Sequence, residues 1–356
     1  MDRRIVIVTG SMSRGGAEGV IASISNELAK RGWDIYIISI LSSKCEYDMF
    51  STIKYIDISK KRNQILDIPR IVLTLRRKIK EINPSIVLSF MIAVNTVSWI
   101  ATRGLKVCFV PSERNDPRIR NLFLKIFQRF VYVGSNHIIF QTLRAQSYFS
   151  NKTQRKSFII PNPVKKISNE RIISKTIVNI GRLSKQKNQK LLIDAFGEIV
   201  KEYPDYKLEI YGEGELKNEL DDKIRIMGLS DRVSLCGKTG RIDRVLEKAY
   251  LFVLSSDFEG LSNALLEAMS FGIPCITTNC AGSEDVILDK FNGIIVPVNN
   301  KYALINAMKQ VLNDDSFAAE LGKRAKESMS RLDTQNIVDK WEDVLNRCIQ
   351  ETKTDY

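Results

Sequence analysis

Short apolar runs alternate with longer stretches of helical period along the whole chain. In the first half the runs are R-I-V-I-V-T-G (4–10), D-I-Y-I-I-S-I (34–40), S-I-V-L-S-F (85–90), K-V-C-F-V-P (106–111) and H-I-I-F-Q-T (137–142). Runs that short and that uniformly apolar read as strands buried on both faces, the mark of a parallel sheet covered by helices. Between the first two lies G-G-A-E-G-V-I-A-S-I-S-N-E-L-A-K-R-G (15–32), a helical segment with Gly32 at its end. P-N-P-V-K-K (161–166) then breaks the alternation, because its two prolines neither continue a helix nor sit mid-sheet. The alternation restarts with T-I-V-N-I (176–180), Y-K-L-E-I-Y (206–211), V-S-L-C (233–236), Y-L-F-V-L-S-S (250–256), P-C-I-T-T (274–278) and G-I-I-V-P-V (293–298). The pattern predicts an α/β protein of two doubly wound domains, 1–165 and 166–335, facing across a cleft. A helix over 336–356 is expected to cross back to the first domain. In such sheets ligands bind beyond the carboxyl ends of the strands, so the strand-to-helix loops are where chemistry belongs.

One stretch competes with this reading. Residues 82–102, I-N-P-S-I-V-L-S-F-M-I-A-V-N-T-V-S-W-I-A-T, carry no charge and have the length of a membrane span. Asn83, Pro84 and Asn95 interrupt it, and Pro84 ahead of S-I-V-L-S-F fits a helix end, a buried strand and a second helix better. The 356 residues suffice for two cores. The opening M-D-R-R-I-V-I-V-T-G has too short an apolar run for a signal peptide.

Charge separates the halves. Residues 1–165 hold 27 Lys and Arg against 11 Asp and Glu, and residues 166–356 hold 27 against 30. The first half therefore faces something anionic, such as nucleic acid, an acidic polymer or a membrane surface, and the second half does not share that partner. The six cysteines show no CxxC or paired zinc spacing, and His137 is the single histidine. Free thiols, a structural His137, no metal and no cofactor are the expectation.

Three loops hold candidate chemistry. T-G-S-M-S-R-G-G-A-E-G (9–19) follows the first strand; its glycines are either a tight turn or a backbone approach to an anion at a helix N-terminus. N-I-G-R-L-S-K-Q-K-N (179–188) releases Arg182, Lys185 and Lys187 at a strand end, either as solvated charge or as a grip on a diphosphate. D-F-E-G-L-S-N-A-L-L-E-A-M-S-F-G (257–272) places Glu259 in a turn and Glu267 more than a turn into the following helix. At about 1.5 Å per residue the two carboxylates are too far apart to share a proton. They are either helix surface charge or contacts to different parts of one extended ligand.

Taken together, G-G-A-E (15–18), G-R-L-S-K-Q-K-N (181–188), G-E-G (212–214) and E-G-L-S-N-A-L-L-E-A-M-S-F-G-I-P (259–274) resemble glycosyltransferase family 4, retaining enzymes of the GT-B fold that use nucleotide sugars. The E-x7-E block is the most specific part. The resemblance implies that Arg182 and Lys187 bind the donor diphosphate, that Glu267 accepts from the ribose hydroxyls, and that Glu259 contacts the transferred sugar beside the amides of Gly260, Leu261 and Ser262. Gly15 and Gly16 would approach the diphosphate or the acceptor. S-E-R-N-D-P (112–117) is similar to a subgroup that builds bacterial surface polysaccharides on lipid carriers, with Arg114 and Asn115 as sugar or acceptor contacts. Two departures stand out. Many members carry a histidine in the first domain that touches the donor sugar, and here only His137 exists. The acidic position of A-G-S-E-D-V-I (281–287) falls to Asp285, with Glu284 as its rival.

No D-x-D is present, so Arg182, Lys187 and the helix N-terminus near Ser262 are expected to offset the leaving-group charge without a metal. What the resemblance implies is transfer of a sugar, from a UDP-linked hexose or N-acetylhexosamine, to a lipid-linked or saccharide acceptor with an α-glycosidic bond. The segment P-R-I-R-N-L-F-L-K-I-F-Q-R-F-V (117–131) reads as one helix started by Asp116 and Pro117. Its apolar stripe should face the core, leaving Arg118, Arg120, Lys125 and Arg129 for anionic headgroups or a lipid diphosphate. With R-R-K-I-K (76–80), this predicts a cytoplasmic enzyme lying peripherally on the inner face of the cell membrane. A sugar-nucleotide epimerase of the same fold and a non-catalytic basic binding protein are the rivals. Nucleic acid is not the expected partner, since aromatic residues do not interleave with the basic runs.

Overall fold

The first-half apolar runs all become parallel strands of one seven-stranded sheet, because each carries β-branched or aromatic side chains on both faces and finds helices to cover them. The strands are β1 (Arg4–Thr9), β2 (Asp34–Ser39), β3 (Lys54–Asp57), β4 (Ile86–Phe90), β5 (Cys108–Glu113), β6 (Ile138–Phe140) and β7 (Ser157–Ile159), in the order β3-β2-β1-β4-β5-β6-β7. The edge strands β3 and β7 are short and mostly unburied, so their sequences lacked the apolar run that marks the others. A second parallel sheet contains β8 (Thr176–Ile180), β9 (Lys207–Tyr211), β10 (Val233–Gly237), β11 (Leu251–Leu254), β12 (Cys275–Thr278) and β13 (Ile294–Val296), ordered β10-β9-β8-β11-β12-β13. The computed structural model describes residues 3–59, 67–120, 122–167, 171–280 and 282–354. The chain divides into two units, residues 1–163 with 334–356, and residues 164–333. Each is a Rossmann-like layer of helices over a parallel sheet.

In the first unit the stretch 82–102 ends the helix Ile68–Ile82, forms β4 and starts the helix Ile92–Thr102. No helix among the described residues is long and apolar enough to cross a membrane. The C-terminal helix Thr334–Thr354 packs against the helix Gly16–Lys30. Arg31 Nη1 reaches Asp339 Oδ1 at 2.6 Å and Glu342 Oε2 at 2.9 Å, and Trp33 Nε1 donates to Glu342 Oε1 at 3.0 Å. Trp341 is fully buried and stacks on Phe90 at the end of β4. Sequence-distant residues thus complete this unit's core.

The expected core-facing helix over 117–131 is corrected in two respects. Pro117–Ile119 forms a separate 3-10 turn capped by Asp116, which accepts from Arg118 N, and the α-helix runs from Leu122 to Val133; Asn121 lies outside the described residues. Its apolar stripe points outward: Leu122 is 74% exposed, Phe123 67%, Phe130 63% and Val133 55%. The buried side is Gln128, Val131 and Tyr132. Polarity explains the inversion. Glu113, at the end of β5, is 1% exposed and needs donors. Arg120 supplies two, at 2.7 and 2.6 Å, Tyr132 Oη donates at 2.7 Å, and Gln128 Nε2 at 2.5 Å. Satisfying a buried carboxylate outweighs turning the phenylalanines inward. Arg120 is therefore spent inside the fold, and Arg118 pairs with Asp116, so neither is the open cation the sequence suggested.

Candidate active site

The second sheet reverses its strand order between β8 and β11, which makes the loops leaving those two strands a topological switch point, where parallel sheets open a crevice for ligands. After β8 the chain runs through Gly181 to a 3-10 turn at Lys185–Lys187. It enters the helix Gln189–Glu202 through Asn188, whose backbone is left-handed (φ 46°) and whose side chain accepts from Leu191 N. After β11 it crosses 255–262 and enters the helix Asn263–Ser270, capped by Ser262 accepting from Leu265 N.

These loops, about seventy residues apart in sequence, are tied into one surface. Asp257 N donates to Gln186 O (2.9 Å), Asn188 Nδ2 to Asp257 Oδ1 (2.7 Å), Ser255 Oγ to Lys187 O (3.0 Å) and Gln186 Nε2 to Phe258 O (3.0 Å). The Lys187 stem lies across Gly181, where a methyl group would meet its Cδ and Cε at 3.1 Å. Its ammonium forms an ion pair with Glu259. Glu259 is 7% exposed and also accepts from Ser256 Oγ at 2.8 Å. The two residues assigned from sequence to separate parts of a ligand therefore meet each other. Gln186, Ser256, Asn188 and Asp257 complete the arrangement. Gln186 and Asn188 belong to N-I-G-R-L-S-K-Q-K-N (179–188), while Ser256 ends the apolar run Y-L-F-V-L-S-S (250–256), a strand signal with no mark of a site.

Arg182 stands apart, exposed, with no hydrogen-bond or ion-pair partner for its guanidinium among the described residues. Glu267 sits in the second turn of the helix Asn263–Ser270, and its carboxylate makes no hydrogen bond among the described residues. Burial pushes its carboxyl up to about 7, opposed by the field of Lys165. A desolvated carboxylate is chemically suited to accept hydrogen bonds from hydroxyl groups or to pair with a cation. Gly260 is half-buried and Leu261 and Ser262 are buried beside Glu259.

Three glycines hold these loops by absence of a side chain. Gly212 (φ 146°) and Gly214 would drive a Cβ to 1.9 Å from Gly181 O and 2.1 Å from Leu183 O, so G-E-G is the bed on which the 181–183 backbone lies. Gly282 (φ 86°) would place its Cβ 1.9 Å from Gly260 O. Gly282→Ala combines a disfavoured backbone region with a backbone clash and should cost about 3 kcal/mol, read by urea unfolding. It should at the same time displace Gly260 and the turn that carries Glu259. Of the 281–287 segment, Ala281 lies outside the described residues, Glu284 is exposed, and Asp285 is half-buried with its carbonyl accepting from Arg331.

In the first unit the Gly15–Gly16 turn opens the helix Gly16–Lys30 after β1. Gly15 N donates to Tyr47 Oη at 3.0 Å, and that hydroxyl donates back to Gly15 O at 2.8 Å. Tyr47, which no motif flagged, thus occupies the Gly15 amide that the sequence offered to an anion. The Arg114 guanidinium lies 5.0 Å from the Phe90 ring and 5.3 Å from that of Trp341, and Nη1 donates to Asn162 Oδ1 at 3.0 Å. Its Nε and Nη2 are buried without partners among the described residues, and desolvation pushes the group down to about 9. Asn115 is exposed, and its side chain accepts from Asp116 N, which gives it a turn-forming role.

Residues 164–328 match the family Glycosyl transferases group 1. The chain is 25% identical over 351 residues to the GalNAc-alpha-(1->4)-GalNAc-alpha-(1->3)-diNAcBac-PP-undecaprenol alpha-1,4-N-acetyl-D-galactosaminyltransferase of Campylobacter jejuni, covering 95% of this chain and 97% of that one. Among solved structures it is similar to sucrose-phosphate synthase from Thermosynechococcus elongatus (TM-score 0.87, 15% identity, 98% of this chain and 99% of that one). It is also similar to Anabaena HepE in complex with UDP and glucose (TM-score 0.81, 17% identity, 97% and 99%).

Proposed function

From the premise that this chain is a glycosyltransferase of the GT-B fold, with its residues 164–328 matching the group 1 family, we propose that it is a retaining enzyme. It moves a hexose or N-acetylhexosamine from a UDP-linked donor to a lipid-linked saccharide, forming an α-glycosidic bond in the making of a bacterial surface glycan. The observation that carries this reading is the constellation at the β8/β11 switch point: the Lys187–Glu259 pair, the exposed Arg182 and, on the helix after β11, Glu267, the last two with no side-chain hydrogen bond among the described residues. Arg182 and Lys187 are cations for a diphosphate, Glu267 an acceptor for ribose hydroxyls and Glu259 an acceptor for sugar hydroxyls. The acceptor class is supported by the undecaprenol-diphosphate named for the Campylobacter relative.

As the bond to the donor breaks, charge accumulates on the departing diphosphate. Arg182 and Lys187 lower that barrier by being in place beforehand. Glu259 is held by Lys187 and Ser256, which orients it as an acceptor and leaves it poorly disposed to attack the anomeric carbon. Retention then proceeds on one face of the sugar, the leaving phosphate oxygen taking the acceptor's hydroxyl proton. A glycosyl adduct trapped on Glu259→Gln would overturn that step.

The outward apolar stripe of Leu122–Val133, with Lys125 and Arg129 beside it, supports docking on an anionic bilayer that presents such an acceptor. The first unit's excess of cations acts in the same direction.

The reading is tested by incubating the protein with UDP-sugars and vesicles holding an undecaprenyl-diphosphate saccharide. Acceptor extension by one α-linked sugar is expected, and conversion of the nucleotide sugar without acceptor would point instead to an epimerase. Glu267→Gln reports on the donor site. Because burial raises the Glu267 carboxyl from an ordinary 4.5 to about 7, the stability it contributes is present below pH 4.5 and lost as pH rises through 7. Ligand-free Glu267→Gln should therefore be more stable than the parent at pH 8, by at most about 3 kcal/mol. Its donor KM should rise, and should lose the parent's decrease between pH 6 and 8.

A further inference from the structure

Cys108, His137 and Cys348 meet in the first unit, although 29 and 211 positions separate them along the chain. Cys108 opens β5, His137 immediately precedes β6, and Cys348 lies in the C-terminal helix Thr334–Thr354. All three are buried, and their two sulfurs and a ring nitrogen lie within 4.8 Å of one another. The Cys348 thiol is hydrogen-bonded to that of Cys108. His137 Nε2 sits 2.7 Å from Glu351 Oε2, while Nδ1 is buried with no hydrogen-bond partner among the described residues. A buried, unsatisfied ring nitrogen costs about 1–3 kcal/mol, so two cysteines and a phenylalanine contact do not by themselves account for a histidine here.

We propose that these residues form a thiolate–imidazole site for a divalent cation of the zinc type, which fastens the C-terminal helix to the β5–β6 side of the sheet. Tetrahedral zinc holds sulfur at about 2.3 Å and nitrogen at about 2.0–2.1 Å, so the ligand atoms need to close by only about 1 Å from where they stand. One ring nitrogen takes the metal. Glu351, on the other, fixes the tautomer and the ring plane, the usual carboxylate support of a metal-bound imidazole. On binding, each thiol releases its proton to solvent, and the two thiolates balance the charge of the cation, with a water in the fourth position. The site lies on the first unit's own elements and does not depend on the sugar-transfer reading.

The test is a Co2+ titration of the full chain kept reduced by a phosphine. One equivalent is expected to bring in tetrahedral d–d bands and a thiolate-to-metal band, both displaced by Zn2+, and Zn2+ should raise the melting temperature. Cys348→Ser should abolish the bands, whereas Cys45→Ser/Cys236→Ser, which removes two exposed cysteines, should keep them. Glu351→Gln, at an exposed position, should fold normally and bind about tenfold more weakly. If Cys348→Ser fails to fold, Glu351→Gln and the parent's one-to-one spectrum still decide the matter. Absent bands, bands that survive Cys348→Ser, or a Cys108–Cys348 disulfide formed with no metal uptake would overturn the proposal.

Discussion

Lys187→Met is expected to unfold more easily than the parent and to lose sugar transfer, while Lys187→Met/Glu259→Gln regains the stability and not the transfer. The Lys187 and Glu259 side chains are only 16% and 9% exposed. Removing the cation alone strands a carboxylate that Ser256 and Gln186 solvate only partly, a loss of about 3–5 kcal/mol. Neutralising both partners removes the stranded charge, so the unfolding midpoint should return close to the parent's. Transfer should not follow it. A preorganised cation facing a leaving diphosphate contributes roughly 100- to 1,000-fold to turnover, and methionine cannot supply it. The measurements are urea unfolding and single-turnover transfer at saturating donor. Recovery of transfer in the double variant would make the pair a structural clasp and shift the leaving-group role to Arg182 alone.

The second large effect concerns the outward face of Leu122–Val133. Phe123→Ser/Phe130→Ser should lower partitioning onto anionic vesicles by about 100-fold or more, since each buried phenylalanine is worth about 1.5–3 kcal/mol. Both rings are exposed, so the melting temperature should hold, as should transfer to a water-soluble acceptor. Lys125→Gln/Arg129→Gln should instead reduce the salt dependence of binding, about 1 kcal/mol per charge near the surface. Sedimentation with vesicles across a salt series reads both. Unchanged binding by the phenylalanine variant would remove the helix from the membrane reading and leave only diffuse charge.

The same helix shows where pattern reading fails. An apolar stripe at helical spacing states that one face avoids water, but not what covers it. Glu113 decided the matter, because a buried carboxylate at the end of β5 recruited Arg120, Gln128 and Tyr132 and turned the phenylalanines outward. No local signal in 117–131 announces that, since Glu113 lies outside the stripe and its demand is set by burial. Gly15 is a similar case, its amide taken by a hydroxyl 32 positions away.

By itself the sequence determined the two parallel sheets, since runs apolar on both faces have no other stable use in a chain of this composition. It also marked the loops that are candidates for the chemistry, because strand ends, glycines and the E-x7-E block are local features. Only the tertiary structure decided which of those residues touch. It joined Lys187 to Glu259, left the Arg182 and Glu267 side chains without a hydrogen bond among the described residues, laid Gly282 on Gly260, and gathered Cys108, His137 and Cys348. The physical reason is that backbone periodicity is written in neighbouring residues, whereas desolvation, ion pairing and metal-ligand geometry depend on distances between residues that the chain itself keeps far apart.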